Sequence, residues 1–172
     1  YYEKIIDRLY EETNFKVDID TDNLHNIYEK EWLLYFKKNI SFVNDIFYGQ
    51  YKSEILCKEC NHSHLSYNPF ISLKLELSSS NMLHCLKNHL SWEENVDFTC
   101  DKCSCKNNAK KRLTLIRIPD IFVITLKRYN NVFTKNNQNI DISNSFNIDN
   151  SKLQLFCIIN HYGSCIYSGH YT

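Results

Sequence analysis

The chain has 172 residues, 43% of them hydrophobic and 14% aromatic, with twenty basic side chains balanced by twenty acidic ones. That length can bury a real core, and this composition excludes a disordered chain. Zero formal charge excludes a long-range field that would recruit nucleic acid or anionic lipid, and no apolar run approaches the ~18 residues a membrane helix needs.

Tyr1 rather than Met opens the sequence and no signal-like stretch follows, so the chain is expected to be part of something longer. Residues 2–13 read as a helix, with Tyr2, Ile5, Ile6 and Leu9 on one face. After a polar link, Leu24, Ile27, Tyr28, Trp32, Tyr35 and Phe36 repeat at helical spacing, with Asp22 or Asn23 as N-cap and Asn39 as a stop. Gly49 breaks that pattern, and β-type segments then flank Cys57-Lys58-Glu59-Cys60. Ile71, Leu73, Leu75 and Leu77 alternate as a half-buried strand does. Ser78-Ser79-Ser80 leads into a short helix with Met82, Leu83, Leu86 and Leu90 on one face.

Phe98 leads into Cys100-Asp101-Lys102-Cys103, and residues 109–118 predict a long strand. Pro119-Asp120 turns the chain into residues 121–129, a predicted central strand. The Asn-rich residues 130–150 read as a loop or insertion with no chemistry of their own. A last strand over 153–160 is predicted to deliver a glycine turn and the terminal Gly169-His170-Tyr171-Thr172.

Eight cysteines suggest a disulfide scaffold, but four of them form two Cys-x-x-Cys pairs in a chain with its own core, which favours a reducing, intracellular setting. Zinc takes four ligands in a tetrahedron, and each knuckle supplies two thiolates from one tight turn. Cys57, Cys60, Cys100 and Cys103 are therefore expected to hold a structural Zn2+, with an insertion looping out between the pairs. With all four positions filled by protein, such an ion has no open site for water and would not catalyse. A disulfide or free buried thiols are the alternatives, and Cys105, His62 or His64 lies close enough to replace a ligand. Asp18, Asp20, Asp22 and Glu29 sit at EF-hand positions, but Asn23 stands where that loop needs glycine. A solvated acidic linker is the better account.

His170 lies beside Gly169 and between Tyr167 and Tyr171, with open backbone on one side and aromatic walls on the other. A lone histidine in a surface turn ordinarily just faces solvent. The glycine, the aromatic neighbours and the strand that aims it favour instead a general base waiting for a nucleophile it does not itself contain. His161, at the end of the same strand, reads as structural. Cys157, inside an apolar run, reads as a buried and inert thiol. Cys165 is nearer to His170 in sequence, but nothing basic adjoins it.

The terminal segment resembles the histidine box of the ubiquitin-specific proteases, and the resemblance covers nearly the whole chain. Tyr2 to Asn14 resembles the family's first helix after its Asp-Ala-x-Glu-Phe segment. Phe47-Tyr48-Gly49-Gln50-Tyr51-Lys52-Ser53, Asn68-Pro69-Phe70 with Leu73-Lys74-Leu75, and Leu83-His84-Cys85-Leu86 match family stretches around the knuckles. Ile118-Pro119-Asp120-Ile121 and Leu126-Lys127-Arg128-Tyr129 are similar to its Leu-Pro-x-x-Leu and Leu-Lys-Arg-Phe, with Tyr129 in place of Phe.

The resemblance implies an α+β, papain-like cysteine-protease fold of fingers, palm and thumb, with a zinc-ribbon insertion and an incomplete domain. Residues 1–48 would be thumb helices, 49–118 the zinc-ribbon fingers and associated strands, and 119–172 the palm with the histidine box. It implies a deubiquitinase that cuts after ubiquitin's terminal Gly-Gly, with His170 as catalytic base. Gly169 and Tyr171 would bind substrate, Gly169 lining the channel for that tail. Ubiquitin and ubiquitinated proteins would be the partners, with neither nucleic acid nor membrane, in the cytoplasm and/or nucleus. The family's cysteine box would precede Tyr1 and its triad Asp or Asn would follow Thr172, so this chain by itself is expected to be inactive. A non-catalytic ubiquitin-binding scaffold of the same fold is the alternative, and a zinc-ribbon nucleic-acid binder the remote one.

Overall fold

A computed structural model of the chain describes residues 26–36, 41–129, 134–149, 151–165 and 167–172. The expected helix over 2–13, the caps at Asp22, Asn23 and Asn39, and the acidic positions Asp18 and Asp20 lie outside them. The chain divides into two units, Tyr1–Leu73 with Ser91–Val123, and Lys74–Leu90 with Ile124–Thr172. The segment Lys74–Leu90 between the two knuckles thus belongs to the second unit, which accounts for much of their separation in sequence.

In the first unit, β1 (Gly49–Cys57) pairs antiparallel with β2 (Ser63–Phe70) and with β5 (Ala109–Arg117), and the two-residue β4 (Glu93–Glu94) closes the order β2-β1-β5-β4. Helix α1 (Ile27–Phe36) matches the helical spacing of its apolar residues, and its buried Phe36 packs edge-on to Trp32 and Tyr48 at ring distances of 4.8 and 5.0 Å. A short α2 (Phe42–Phe47), not foreseen from the sequence, follows Ser41. Six residues are too few to show helical periodicity. Gln50 is fully buried on β1 and donates from Nε2 to the Tyr28 carbonyl at 2.9 Å, tying α1 to the sheet.

Gly49 explains itself by contact. A Cβ there would run into the Phe70 ring and come within 2.8 Å of the Arg117 carbonyl. Phe70 cannot swing away, being buried between Tyr51 and Phe122. Gly49→Ala is therefore expected to destabilise the protein by about 1–3 kcal/mol, read as a lower denaturant midpoint.

In the second unit, β3 (Leu73–Glu76) pairs with β6 (Ile124–Lys127), and β3 alternates as expected, with Leu73 and Leu75 buried. Helix α3 (Met82–Leu90) buries Met82, Cys85 and Leu86. Asn81 caps it, its Oδ1 accepting from the backbone N–H of Leu83 at 3.0 Å and of His84 at 3.2 Å. Hairpins β7 (Ser145–Ile148) with β8 (Ser151–Gln154), and β9 (His161–Cys165) with β10 (Ser168–Tyr171), complete the unit.

Three expectations change here. The predicted central strand over 121–129 shrinks to the four residues of β6. The Asn-rich stretch is not all loop, since it contains β7. The apolar run over 153–160 is strand only at its start, and residues 156–160 are exposed, with Phe156 at 78%. Cys157 is accordingly exposed, not a buried core thiol. An apolar run shows that a segment wants burial; only a pairing partner decides whether it finds it.

Candidate functional site

The two knuckles are built the same way. The Asn61 N–H donates to the Cys57 carbonyl at 3.0 Å, and the Cys57 N–H to the His62 carbonyl at 3.0 Å. The Ser104 N–H donates to the Cys100 carbonyl at 2.8 Å, and the Cys100 N–H to the Cys105 carbonyl at 2.9 Å. Asn61 (φ 55°) and Ser104 (φ 58°) take the left-handed conformation that turns each loop back.

These turns, at the end of β1 and before β5, bring all four sulfurs within 4.8 Å of one another. Cys57 Sγ lies 3.7 Å from Cys103 Sγ, and Cys60 Sγ lies 3.7 Å from Cys100 Sγ. A tetrahedron of thiolates at the usual ~2.3 Å zinc–sulfur length has edges of about 3.8 Å, so the donor set fits a four-coordinate ion. Backbone N–H groups, that of Cys60 foremost, bring the Cys57 thiol down to about 7. The Cys105 N–H favours the Cys103 thiolate, but desolvation and the three neighbouring sulfurs outweigh it and push that thiol up to about 12. Crowded thiolates repel, and a cation among them removes the repulsion. The side alternatives are occupied elsewhere: His62 faces Asp101 at 3.5 Å, His64 lies 6.0 Å from the Phe98 ring, and Cys105 points to the Lys106 carbonyl. Glu29 lies inside α1.

The histidine turn is the β9–β10 hairpin, in register His161 with Tyr171 and Tyr162 with His170. The Asn160–Thr172 backbone pair extends it, with N–H to carbonyl distances of 2.8 and 3.0 Å. Opposite residues share a face, so His170 and Tyr162 stand together and exposed. Gly169 and Tyr171 belong to the other face, with His161. Hence the three terminal residues singled out in sequence do not point one way. His161 begins β9 instead of ending the preceding strand, and its ring lies 4.7 Å from that of Tyr171. A Cβ on Gly169 would collide with His161 Nε2 and come within 2.6 Å of the Tyr162 carbonyl. The glycine is thus demanded by the ring beneath it.

Two residues passed over in the sequence meet His161. Tyr129 Oη is 2.9 Å from its Nδ1, and Lys135 Nζ is 3.3 Å from the same atom. Tyr129 carried a visible signal, a hydroxyl where the resembling motif has Phe. Lys135, inside the Asn-rich stretch, carried none. The Cys165 side chain lies outside the described residues.

A four-cysteine knuckle pair together with a Gly-His-Tyr hairpin on a strand-rich α+β scaffold is the architecture of a ubiquitin-specific cysteine protease domain. A family model described as ubiquitin carboxyl-terminal hydrolase matches residues 21–172, and the chain belongs to that family. Ubiquitin carboxyl-terminal hydrolase 23 of Arabidopsis thaliana is 28% identical over 147 residues, covering 77% of this chain and 17% of the relative. The solved yeast SAGA DUB module with an Sgf73 mutant superposes with a TM-score of 0.76 at 22% identity, over 99% of this chain and 40% of that one. The SAGA Ubp8/Sgf11/Sus1/Sgf73 DUB module bound to ubiquitin aldehyde gives 0.66 at 22% identity, over 84% and 38%. These structures share the fold, and the chain spans less than half of each.

Proposed function

We propose that this chain is the ubiquitin-holding, base-bearing part of a deubiquitinase, a cysteine-type hydrolase acting on the bond after ubiquitin's C-terminal Gly-Gly. The observation that carries the reading is the β9–β10 hairpin, which presents an exposed His170 beside a glycine whose Cβ would collide with the His161 ring and the Tyr162 carbonyl. His170 takes the proton of the attacking thiol and later gives it to the leaving lysine amine. The Gly169 backbone borders the approach for the diglycine tail, and Tyr171 contributes through its backbone, its ring being packed against His161 on the opposite face. Cys57, Cys60, Cys100 and Cys103 hold a structural Zn2+ that ties the fingers and leaves no position for water. The paired free thiols of the knuckles and a ubiquitin substrate support an intracellular setting, in the cytoplasm and/or nucleus. Among the described residues no helix is long and apolar enough to cross a membrane.

The nucleophile comes from outside this chain. Among the described cysteines, Cys85 is buried, Cys57, Cys60, Cys100 and Cys103 gather in the knuckles, Cys105 Sγ faces the Lys106 carbonyl, and the exposed Cys157 has no hydrogen bond to an imidazole that would activate it. The test is a ubiquitin bearing a C-terminal electrophile. The full-length protein should be labelled at a cysteine outside these residues and should hydrolyse a ubiquitin C-terminal amide, while the 172-residue chain alone should remain unlabelled. Labelling of Cys157 or Cys165 would overturn the assignment of the nucleophile. Ubiquitin binding without hydrolysis by the full-length protein would make it a scaffold.

A further inference from the structure

The hairpin face turned away from His170 carries a hydrogen-bonded cluster of its own. Lys135 Nζ donates to the His161 carbonyl at 2.5 Å and the Gly163 carbonyl at 3.3 Å, besides facing His161 Nδ1 at 3.3 Å. Those two carbonyls bracket Tyr162, the residue paired across the hairpin with His170. An ammonium has donors only, so the Nδ1 it faces accepts, and this partner assigns the ring proton to Nε2. Tyr129 Oη, 2.9 Å from the same Nδ1, shares that nitrogen's single lone pair with the lysine, and an isolated bridge between Tyr129 and Lys135 holds the two residues side by side. The ring so oriented lies directly under Gly169 and against Tyr171. The cluster thus bears on the backbone that flanks His170, not on the His170 side chain.

We propose that Lys135, Tyr129 and His161 are positioning residues for the hydrolytic reaction: the lysine fixes the β9 backbone and the imidazole orientation, and the imidazole fixes the Gly169–Tyr171 backbone that aims His170. The proposal rests on His170 being the base. A displacement of the base by about 1 Å is enough to lower turnover about 100-fold without altering how ubiquitin binds.

The experiment uses the full-length protein, a fluorogenic ubiquitin C-terminal amide, and the variants Lys135→Met, Lys135→Arg, Tyr129→Phe and His170→Ala. Lys135→Met should lower kcat about 10- to 100-fold with KM within about twofold, and Lys135→Arg should restore most of it. Nitrogen-15 spectra of labelled histidine should show His161 as the Nε2–H tautomer, and Lys135→Met should mix the tautomers. Loss of activity in His170→Ala together with normal kcat in Lys135→Met overturns the positioning role and leaves the base in place. A KM rise at constant kcat overturns it too, because the lysine would then be touching ubiquitin. Retained activity in His170→Ala removes the base assignment, and the proposal with it. Should Lys135→Met fail to fold, Tyr129→Phe decides: a several-fold fall in kcat at constant KM supports the proposal, and unchanged kcat sinks it.

Discussion

Cys57→Ser is expected to empty the ribbon of its metal and to loosen both knuckles, taking the protein from about one zinc per chain to none. Cys57 is the more deeply placed cysteine of its knuckle, 1% exposed, at the end of β1 where its N–H and carbonyl already close the turn to His62 and Asn61. A serine hydroxyl keeps that backbone but not the thiolate, which ionises readily at about 7 because the Cys60 N–H and its neighbours stabilise it. Three sulfurs without the fourth leave an open coordination position and a weaker site. The effect should cross between knuckles, because Cys57 faces Cys103 at 3.7 Å and a bound ion would be shared by both loops. Exchange protection of the 58–62 and 101–105 amides should fall together. Cys157→Ser, on the exposed 156–160 stretch, should keep its zinc and serves as the control. Protons compete for the ligands, and Cys103 holds its own up to about 12 without a cation. Zinc binding should therefore release protons, and the affinity should fall more steeply as pH is lowered through about 7, where Cys57 takes up its proton as well. Metal analysis showing no zinc in the unmodified protein would falsify the centre.

The knuckles were legible in sequence because their geometry is local. Two residues between cysteines, a turn, and flanking β-segments are all short-range facts, and β1, β2 and β5 lie where the pattern put them. What the spacing could not show was the left-handed Asn61 and Ser104, since Ser is no usual marker of that conformation. The helical spacing of Ile27 to Phe36 and of Met82 to Leu90 was equally readable, being the period of each helix itself. The last third of the chain is less legible. Residues 153–160 have strand composition, yet strand formation depends on partners distant in sequence. Only 153 and 154 fall in β8, Leu155 continues it by one bond to the Asn144 carbonyl, and the next backbone pair is Asn160 with Thr172. The cluster around His161 depends on tertiary contact in the same way. Nothing in an asparagine-rich stretch announces that one of its lysines will reach two carbonyls of a hairpin that begins 26 residues on.

His170→Ala should abolish hydrolysis of a ubiquitin C-terminal amide by the full-length protein, roughly 10^4-fold or more in kcat, while its melting temperature stays put. The two halves of that expectation have separate causes. A triad base acts as one unit with its thiol, so removing the imidazole removes nearly all of the acceleration that the thiol provides. Stability should change by no more than about 0.5 kcal/mol because the His170 side chain is exposed on β10. Gly169→Ala, one residue earlier, should behave differently. Its methyl group would meet the His161 ring and the Tyr162 carbonyl at 2.6 Å, so it should cost activity and about 1–3 kcal/mol of stability together. That contrast would separate a residue needed for proton transfer from one needed to keep the hairpin in shape. If His170→Ala kept more than about a tenth of the parent kcat, proton transfer would have to be assigned elsewhere. His161 is a poor substitute, for its Nδ1 already faces Tyr129 and Lys135 and its Nε2 lies against Gly169. An imidazole with Nδ1 hydrogen-bonded and Nε2 packed under a glycine backbone is closed off from a thiol, whereas the exposed His170 ring on the other face is open to one.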